Sequence, residues 1–255
     1  MKFVKAHCGA NDFIILDWRY ALDTTIPDNI GEFVCEIAHR HTGVGADGVI
    51  IIDKSTEADF GVRYFNPDGT EYDVCGNGAL CVILYEGKQS LIFSTRIGSI
   101  TGYLTNDKAK VKMVGPSEVR LYITFDDKKK EINFVNIGVP HAVIKVDDVY
   151  SININELAPP VRFHTYFGKY GTNVNFMQII KENKIVVRSY ERSVEGETLS
   201  CGSGSCACAV VGWLNKWLIS PIELKTLGGH FKIYIDGLDE IWLEGTPKII
   251  FKGEV

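Results

Sequence analysis

Two short stretches of this chain carry residues that could do chemistry. The first is Glu191–Ala209, ERSVEGETLSCGSGSCACA, in which Cys201 sits among glycines and small residues. No charged residue occurs from Cys201 to Asn215, and Ala207, Ala209, Val210, Val211, Trp213 and Leu214 make an apolar run. That pattern predicts a tight turn feeding a buried helix with the cysteine at its mouth. A thiol there feels the positive end of the helix dipole, which favours the thiolate. The N–H groups of Gly202, Ser203 and Gly204 have no partners within the helix and can hold an anion. Taken alone, the stretch also fits an inert buried cysteine, since free Cys is commonly buried.

A second copy tips the balance. Asn66–Cys81 reads NPDGTEYDVCGNGALC, so Cys75-Gly76-Asn77-Gly78 matches Cys201-Gly202-Ser203-Gly204. The two leading cysteines lie 201 − 75 = 126 positions apart in a chain of 255 residues. Two thiols at two related helix starts, facing one cleft, suit one task. One removes a proton from one face of a carbon and the other returns a proton to the opposite face, with roles exchanging with substrate handedness. The carbanion formed beside a carboxylate is stabilised by the helix N-termini. That chemistry needs no cofactor, and neither a dinucleotide-binding G-x-G-x-x-G unit nor a Walker lysine loop is read from the sequence. The rival reading is a non-catalytic thiol protein holding a metal through Cys75-x5-Cys81 and Cys201-x4-Cys206-x-Cys208. The trailing cysteines fall inside the expected helices, and Cys206 and Cys208, two apart, face different sides. Cys8, Cys35, Cys81, Cys206 and Cys208 are therefore read as core or surface residues, with no metal site.

The elements that must position these thiols follow from the patterning. Strands are expected at Lys2–Ala6, Phe13–Asp17, Val49–Ile52, Phe60–Phe65, Leu91–Thr95, Ser99–Leu104, Ala109–Val114, Leu121–Phe125, Ile132–Val135 and Ala142–Val146. More follow at Asn173–Ile180, Lys184–Tyr190, Ile222–Thr226, Phe231–Ile235, Ile241–Glu244 and Lys248–Phe251. Helices are expected at Asn29–Arg40, from Gly76 to Glu86, and from Cys201 to about Trp217. Pro159-Pro160 reads as loop punctuation, and Lys128–Lys130 after Asp126-Asp127 as a solvated turn. Val62–Asn66 before Cys75 parallels Val187–Glu191 before Cys201, and Gly9–Asp17 echoes Gly138–Asp147. The expectation is an α+β fold of two pseudo-symmetric domains, each a strand-rich, barrel-like sheet around a central helix, with the site in the cleft between them. The domains are 1–117, carrying Cys75, and 118–255, carrying Cys201, with strands 245–255 able to return to the first.

A net charge of −5 argues against nucleic acid as partner. No secretory h-region or bilayer-length apolar run is present, and seven cysteines, an odd count, fit reduced thiols in the cytoplasm. A homodimer is compatible with the sequence.

Taken together, the motifs resemble the diaminopimelate epimerase family over nearly the whole chain. Besides the cysteine boxes, the resemblance rests on Asn11-Asp12-Phe13, Gly43–Gly48, Phe65-Asn66 with Asp68-Gly69, Pro140-His141, Asn173 before Phe176, and Glu191-Arg192 running to Gly196-Glu197-Thr198. It implies epimerisation of LL- to meso-diaminopimelate without pyridoxal phosphate, for lysine and cell-wall precursor synthesis. It implies Cys75 and Cys201 as the acid–base pair, and the backbone at Gly76-Asn77 and Gly202-Ser203 as the cradle for the reacting carboxylate. Asn11, Asn66, Asn173, Glu191 and Arg192 would read the distal amino-acid end, and His141 and Glu191 would bias the thiols. A related racemase for proline, histidine or glutamate is the alternative within the superfamily. The chain departs from the family at Gly48, where many members have Gln, at Val139, where many have Asn, and at Ala10 and Leu80, which replace Gly and Arg. The first two touch the distal end, where specificity resides.

Overall fold

A computed structural model describes residues 1–21, 26–125 and 128–255. The chain divides into two compact units, Met1–Val111 with Glu244–Val255, and Lys112–Leu243. In chain order the first carries β1 (Lys2–Cys8), β2 (Asn11–Asp17), α1 (Ile30–Ala38), β3 (Gly48–Asp53), β4 (Phe60–Phe65), β5 (Glu71–Tyr72), α2 (Gly76–Glu86), β6 (Ser90–Thr95), β7 (Gly98–Thr105) and β8 (Lys108–Lys112). The second carries β9 (Glu118–Phe125), β10 (Lys128–Asn136), β11 (Pro140–Lys145), α3 (Ile154–Leu157), α4 (Pro159–Arg162), β12 (Asn173–Lys181), β13 (Lys184–Glu191), β14 (Gly196–Thr198), α5 (Gly202–Leu214), β15 (Ile222–Lys225), β16 (His230–Ile235) and β17 (Ile241–Gly245). The last strand, β18 (Lys248–Glu254), pairs with β1 and so belongs to the first unit.

The two units repeat one pairing scheme. In the first, β2 and β3 run parallel, β3 and β4 antiparallel, β4 takes the short β5, and β4 and β6 run parallel. In the second, β11 and β12 run parallel, β12 and β13 antiparallel, β13 takes the short β14, and β13 and β15 run parallel. Each parallel step between the third and fourth strands of the scheme is a crossover, and in each unit the crossover is the cysteine helix, α2 or α5. Few helices among many short strands make this an α+β fold.

Sequence explains why these two helices are central. Residues 76–83 of α2 and most of 202–212 of α5 are buried, so neither helix has a polar face to give to water. Strands enclose them: β1, β2, β7 and β18 pack on α2, and β10, β11, β12, β13 and β16 on α5. By contrast α1 is amphipathic, burying Val34, Ile37 and Ala38 against the core around Ile14, Leu16 and Val49. Among the described residues no helix is long and apolar enough to cross a membrane.

Four expectations need correction. Gly43-x-Gly45-x-x-Gly48 does spell G-x-G-x-x-G, but α1 leads into it and β3 leaves it, the reverse of a nucleotide loop. Its N–H groups instead serve the end of α1, from Gly43 to His39 O, Gly45 to Ile37 O and Ala46 to Ala38 O, at 2.9–3.0 Å. Pro159-Pro160 opens α4 rather than a loop, because proline in a first helical turn loses no hydrogen bond. The backbone at Lys128–Lys130 is strand, the start of β10, while Asp126 and Asp127 lie outside the described residues. Finally, α5 stops at Leu214, not near Trp217. Asn215 turns its amide onto Val211 O at 2.9 Å and Lys216 takes a positive φ of 58°.

Candidate active site

Cys75 and Cys201 occupy the same place in their units. Each is the N-cap residue of its helix, with φ/ψ of −126/120° and −124/112° respectively. Extended backbone at the cap lets the following N–H groups emerge unpaired by the helix. Neither helix has an acidic residue in its first turn to compete for them.

Cys201 is buried, at 6% exposure. Gly204 N–H donates to its Sγ at 3.4 Å, and Ser203 Oγ stands 3.5 Å from the same sulfur. Burial raises the Cys201 pKa well above the usual thiol value, the negative charge of Glu191 adds to it, and the Ser203 and Gly204 donors oppose it. The Glu191 carboxylate is fixed in turn by the Thr198 hydroxyl.

His141 reaches the hydroxyl that lies beside this sulfur. Its Nε2 meets Ser203 Oγ at 3.0 Å and its Nδ1 meets Asn175 Nδ2 at 3.1 Å. Burial, with the positive charge of Arg192, depresses its pKa to about 3, so the imidazole is neutral near pH 7. Asn175 was not among the expected site residues. A signal for it existed: it lies two residues from Asn173 on β12, hence on the same face of the strand.

In the first unit, the Cys75 thiol donates toward Asn11 Oδ1 at 3.7 Å, and Asn77 Nδ2 donates to the same oxygen at 3.4 Å. Asn11 points its carbonyl this way because its Nδ2 donates to Asp47 Oδ2 at 3.1 Å. Asp47 is held by Arg40 at 2.6 Å, and Arg40 also grips Asp12 at 2.8 Å. The second cation of this network, Lys5, is buried and pairs with Asp12 at 2.7 Å. Burial alone would raise the Asp12 pKa, but Arg40 and Lys5 hold it well below the carboxylate range. Sequence reading singled out Asn11 and passed over Asp47, which aims it. Cys8 lies nearby, and burial with the Cys75 charge pushes its pKa up to about 12.

The remaining expected residues divide. Asn173 works for the backbone at both ends of its amide, accepting from Arg192 N–H at 2.8 Å and donating to Pro140 O at 3.2 Å. It ties the start of β11 to the end of β13, where Glu191 and Arg192 sit. Asn66 closes a turn with Thr70, its Nδ2 donating to Thr70 Oγ1 at 3.0 Å. Arg192 is half-buried, and the two acids that follow it, Glu195 and Glu197, pair with other arginines. Glu195 pairs with the buried Arg162 at 2.7 Å and Glu197 with Arg188 at 2.6 Å.

Comparison with known proteins decides the family. The family model for diaminopimelate epimerase matches residues 3–119 and again 133–250. The diaminopimelate epimerase of Aquifex aeolicus is 36% identical over the whole of this chain and 98% of its own length. That of Methanocella arvoryzae is 34% identical over the whole chain and 96% of its own. This chain belongs to the diaminopimelate epimerase family. Solved structures share the fold at much lower identity. A PhzF-family phenazine biosynthesis protein from Bacillus anthracis gives a TM-score of 0.75 at 15% identity, covering all of this chain and 98% of that one. A probable proline racemase from Agrobacterium radiobacter gives 0.67 at 14%, covering all of this chain and 92% of that one.

Diaminopimelate epimerases are isomerases, and the family fits the α+β architecture of two repeated units. Gly48, where many family members carry Gln, packs closely here. A Cβ at that position would sit 3.2 Å from Phe13 ring carbons and 3.1 Å from Phe65 O. A Gln side chain would need those neighbours to give way, so the glycine is matched to its local packing.

Proposed function

We propose that this chain interconverts LL- and meso-diaminopimelate by a two-base thiol mechanism, without pyridoxal phosphate, for lysine and peptidoglycan precursor synthesis in the cytoplasm. The observation that supports it is the repeated N-cap cysteine, with matching backbone angles, on a buried helix in each unit. Epimerisation needs an acid–base group for each face of the α-carbon, and the chain carries one such thiol per repeat.

In this reading the reacting carboxylate lies against the N–H groups that begin α2 and α5, at Gly76-Asn77 and Gly202-Ser203. Charge developing on that carboxylate as the α-proton leaves is then met by both helix dipoles. One sulfur enters as thiolate and takes the proton; the other enters as thiol and gives one up from the opposite side. The reverse epimer exchanges the two roles. Glu191 accepts from the Cys201 thiol and so favours its protonated form, while Ser203 and Gly204 favour the thiolate. The sulfur is thus placed between two sets of partners that suit its two states. Asn11, held by Asp47, does a simpler service for Cys75 by accepting from its thiol.

At the distal end, Arg192 suits a carboxylate and Asn66 can serve a carboxylate or an ammonium. Asn173 contributes by holding the Arg192 backbone. Incubating the protein with LL-diaminopimelate in heavy water, without added cofactor, should place deuterium at one α-carbon. Exchange of proline, histidine or glutamate instead, under the same conditions, would move the chain to another substrate.

A further inference from the structure

The polar network behind Cys201 can be read proton by proton. The Ala142 carbonyl can only accept, so the Asn175 atom 3.2 Å from it is the amide nitrogen. The amide oxygen then accepts from Ser189 Oγ at 2.8 Å. With one Asn175 hydrogen on Ala142 O, the other points at His141 Nδ1, which must present a lone pair. A neutral imidazole with a bare Nδ1 carries its proton on Nε2. That proton goes to Ser203 Oγ at 3.0 Å, and the Ser203 hydroxyl hydrogen is left to point at Cys201 Sγ, 3.5 Å away.

Strand register shows which residues stand at the corresponding places in the first unit. Asn175 faces Ser189 between β12 and β13 as Ile50 faces Tyr64 between β3 and β4. Ala142 faces Val174 between the parallel strands as Ile14 faces Val49, so His141 corresponds to Phe13. The third residues of the two helices agree: a Cβ on Gly78 would meet Tyr64, Ile50 and Phe13, and one on Gly204 would meet Asn175 at 2.3 Å. Where one repeat backs its helix with Ile50, Tyr64 and Phe13, the other has a directed hydrogen-bond chain.

We propose that Asn175 is a positioning residue: it fixes His141 as the Nε2–H tautomer, so that Ser203 donates to Cys201 when that sulfur bears the negative charge. This rests on the two-thiol reading for its purpose, but not for its test. The other groups around the sulfur are Glu191 from β13, with Arg192 beside it acting on His141. Glu197 on β14 is engaged by Arg188, and β11 and β12 bring His141, Asn173 and Asn175.

The test uses the whole protein without substrate. Nitrogen-15 NMR of the imidazoles should show His141 protonated on Nε2 in the wild type. Asn175→Asp, which replaces the donor by an acceptor, should move that proton to Nδ1. In the same variant the rate of Cys201 alkylation at pH 8, followed by peptide mass spectrometry, should fall about tenfold or more, the usual weight of a hydrogen bond to a charged group. Cys75 alkylation should stay within twofold. Ser203→Ala should slow Cys201 likewise while leaving the His141 tautomer as in the wild type. A wild-type His141 protonated on Nδ1 overturns the proposal even if no variant folds. So does an unchanged Cys201 rate in a folded Asn175→Asp protein whose tautomer has moved. Loss of the epimerase reading alone would leave both measurements standing.

Discussion

Gly204 is the position at which packing and hydrogen bonding behind Cys201 can be weighed together. Glycine inside a helix costs about 1 kcal/mol relative to alanine, so Gly204→Ala would be stabilising if space allowed. Here the added methyl would lie 2.3 Å from Asn175 Oδ1, 3.2 Å from its Cγ and 3.3 Å from Cys201 Cβ. Asn175 cannot swing aside freely, because Ser189, Ala142 O and His141 all hold it. Overpacking of this kind costs about 1–3 kcal/mol. Losing one or two of the buried hydrogen bonds costs about 1–3 kcal/mol more. Set against the helix gain, the expected loss is roughly 1–5 kcal/mol. In calorimetry that lowers Tm by roughly 2–20 °C for a chain of this size. Since the conflict is with one side chain, Asn175→Ala should relieve it. In that background Gly204→Ala should cost at least about 1 kcal/mol less, the coupling expected of touching residues. Equal costs in the two backgrounds would refute the packing account of this glycine.

Other outcomes follow from the same structure. His141, with its pKa depressed to about 3, binds a proton less readily folded than unfolded. Stability should therefore fall as pH drops from about 6.5 toward 3, by a few kcal/mol at most, and His141→Gln should remove that part of the slope in urea titrations at several pH values. Asp12 has the depressed pKa of a paired carboxylate, so its contribution is present above the unfolded value and disappears as pH falls through the folded one. Asp12→Asn should cost about 3–5 kcal/mol in urea titration at pH 7, because it leaves Lys5 buried without its carboxylate. Iodoacetamide should label the exposed Cys35 first and Cys75 next, with Cys201 slower and Cys8, Cys81, Cys206 and Cys208 only on unfolding. Peptide mapping over time reads that order directly.

Much of the scaffold was legible because the cysteine helices and their strands are so apolar. Phe60–Phe65 and Gly76–Glu86 fall where patterning put them, and the duplication was visible in two glycine-rich boxes. Short elements escaped: β5 and β14, two and three residues long, leave no periodicity to read, and the proline pair of α4 looks like a breaker until its backbone is seen. At the candidate site, types and spacing single out the two N-cap cysteines but not the side chains packed behind them. Asp47 and Asn175 act on side chains 36 and 34 positions away. Such partners depend on strand register, which local sequence specifies only through the hydrophobic pattern. The resemblance implies that His141 biases the thiols, and in the structure Ser203 Oγ contacts both His141 Nε2 and Cys201 Sγ.

Substitution of one sulfur at a time tests the two-base reading most directly. With LL-diaminopimelate in heavy water, wild-type protein should incorporate deuterium and produce the meso form. Cys75→Ala and Cys201→Ala, each folded by circular dichroism, should each lose epimerisation by at least about a thousandfold, since each removes one of two obligatory proton-transfer groups. Ordinary turnover by either variant would contradict the account.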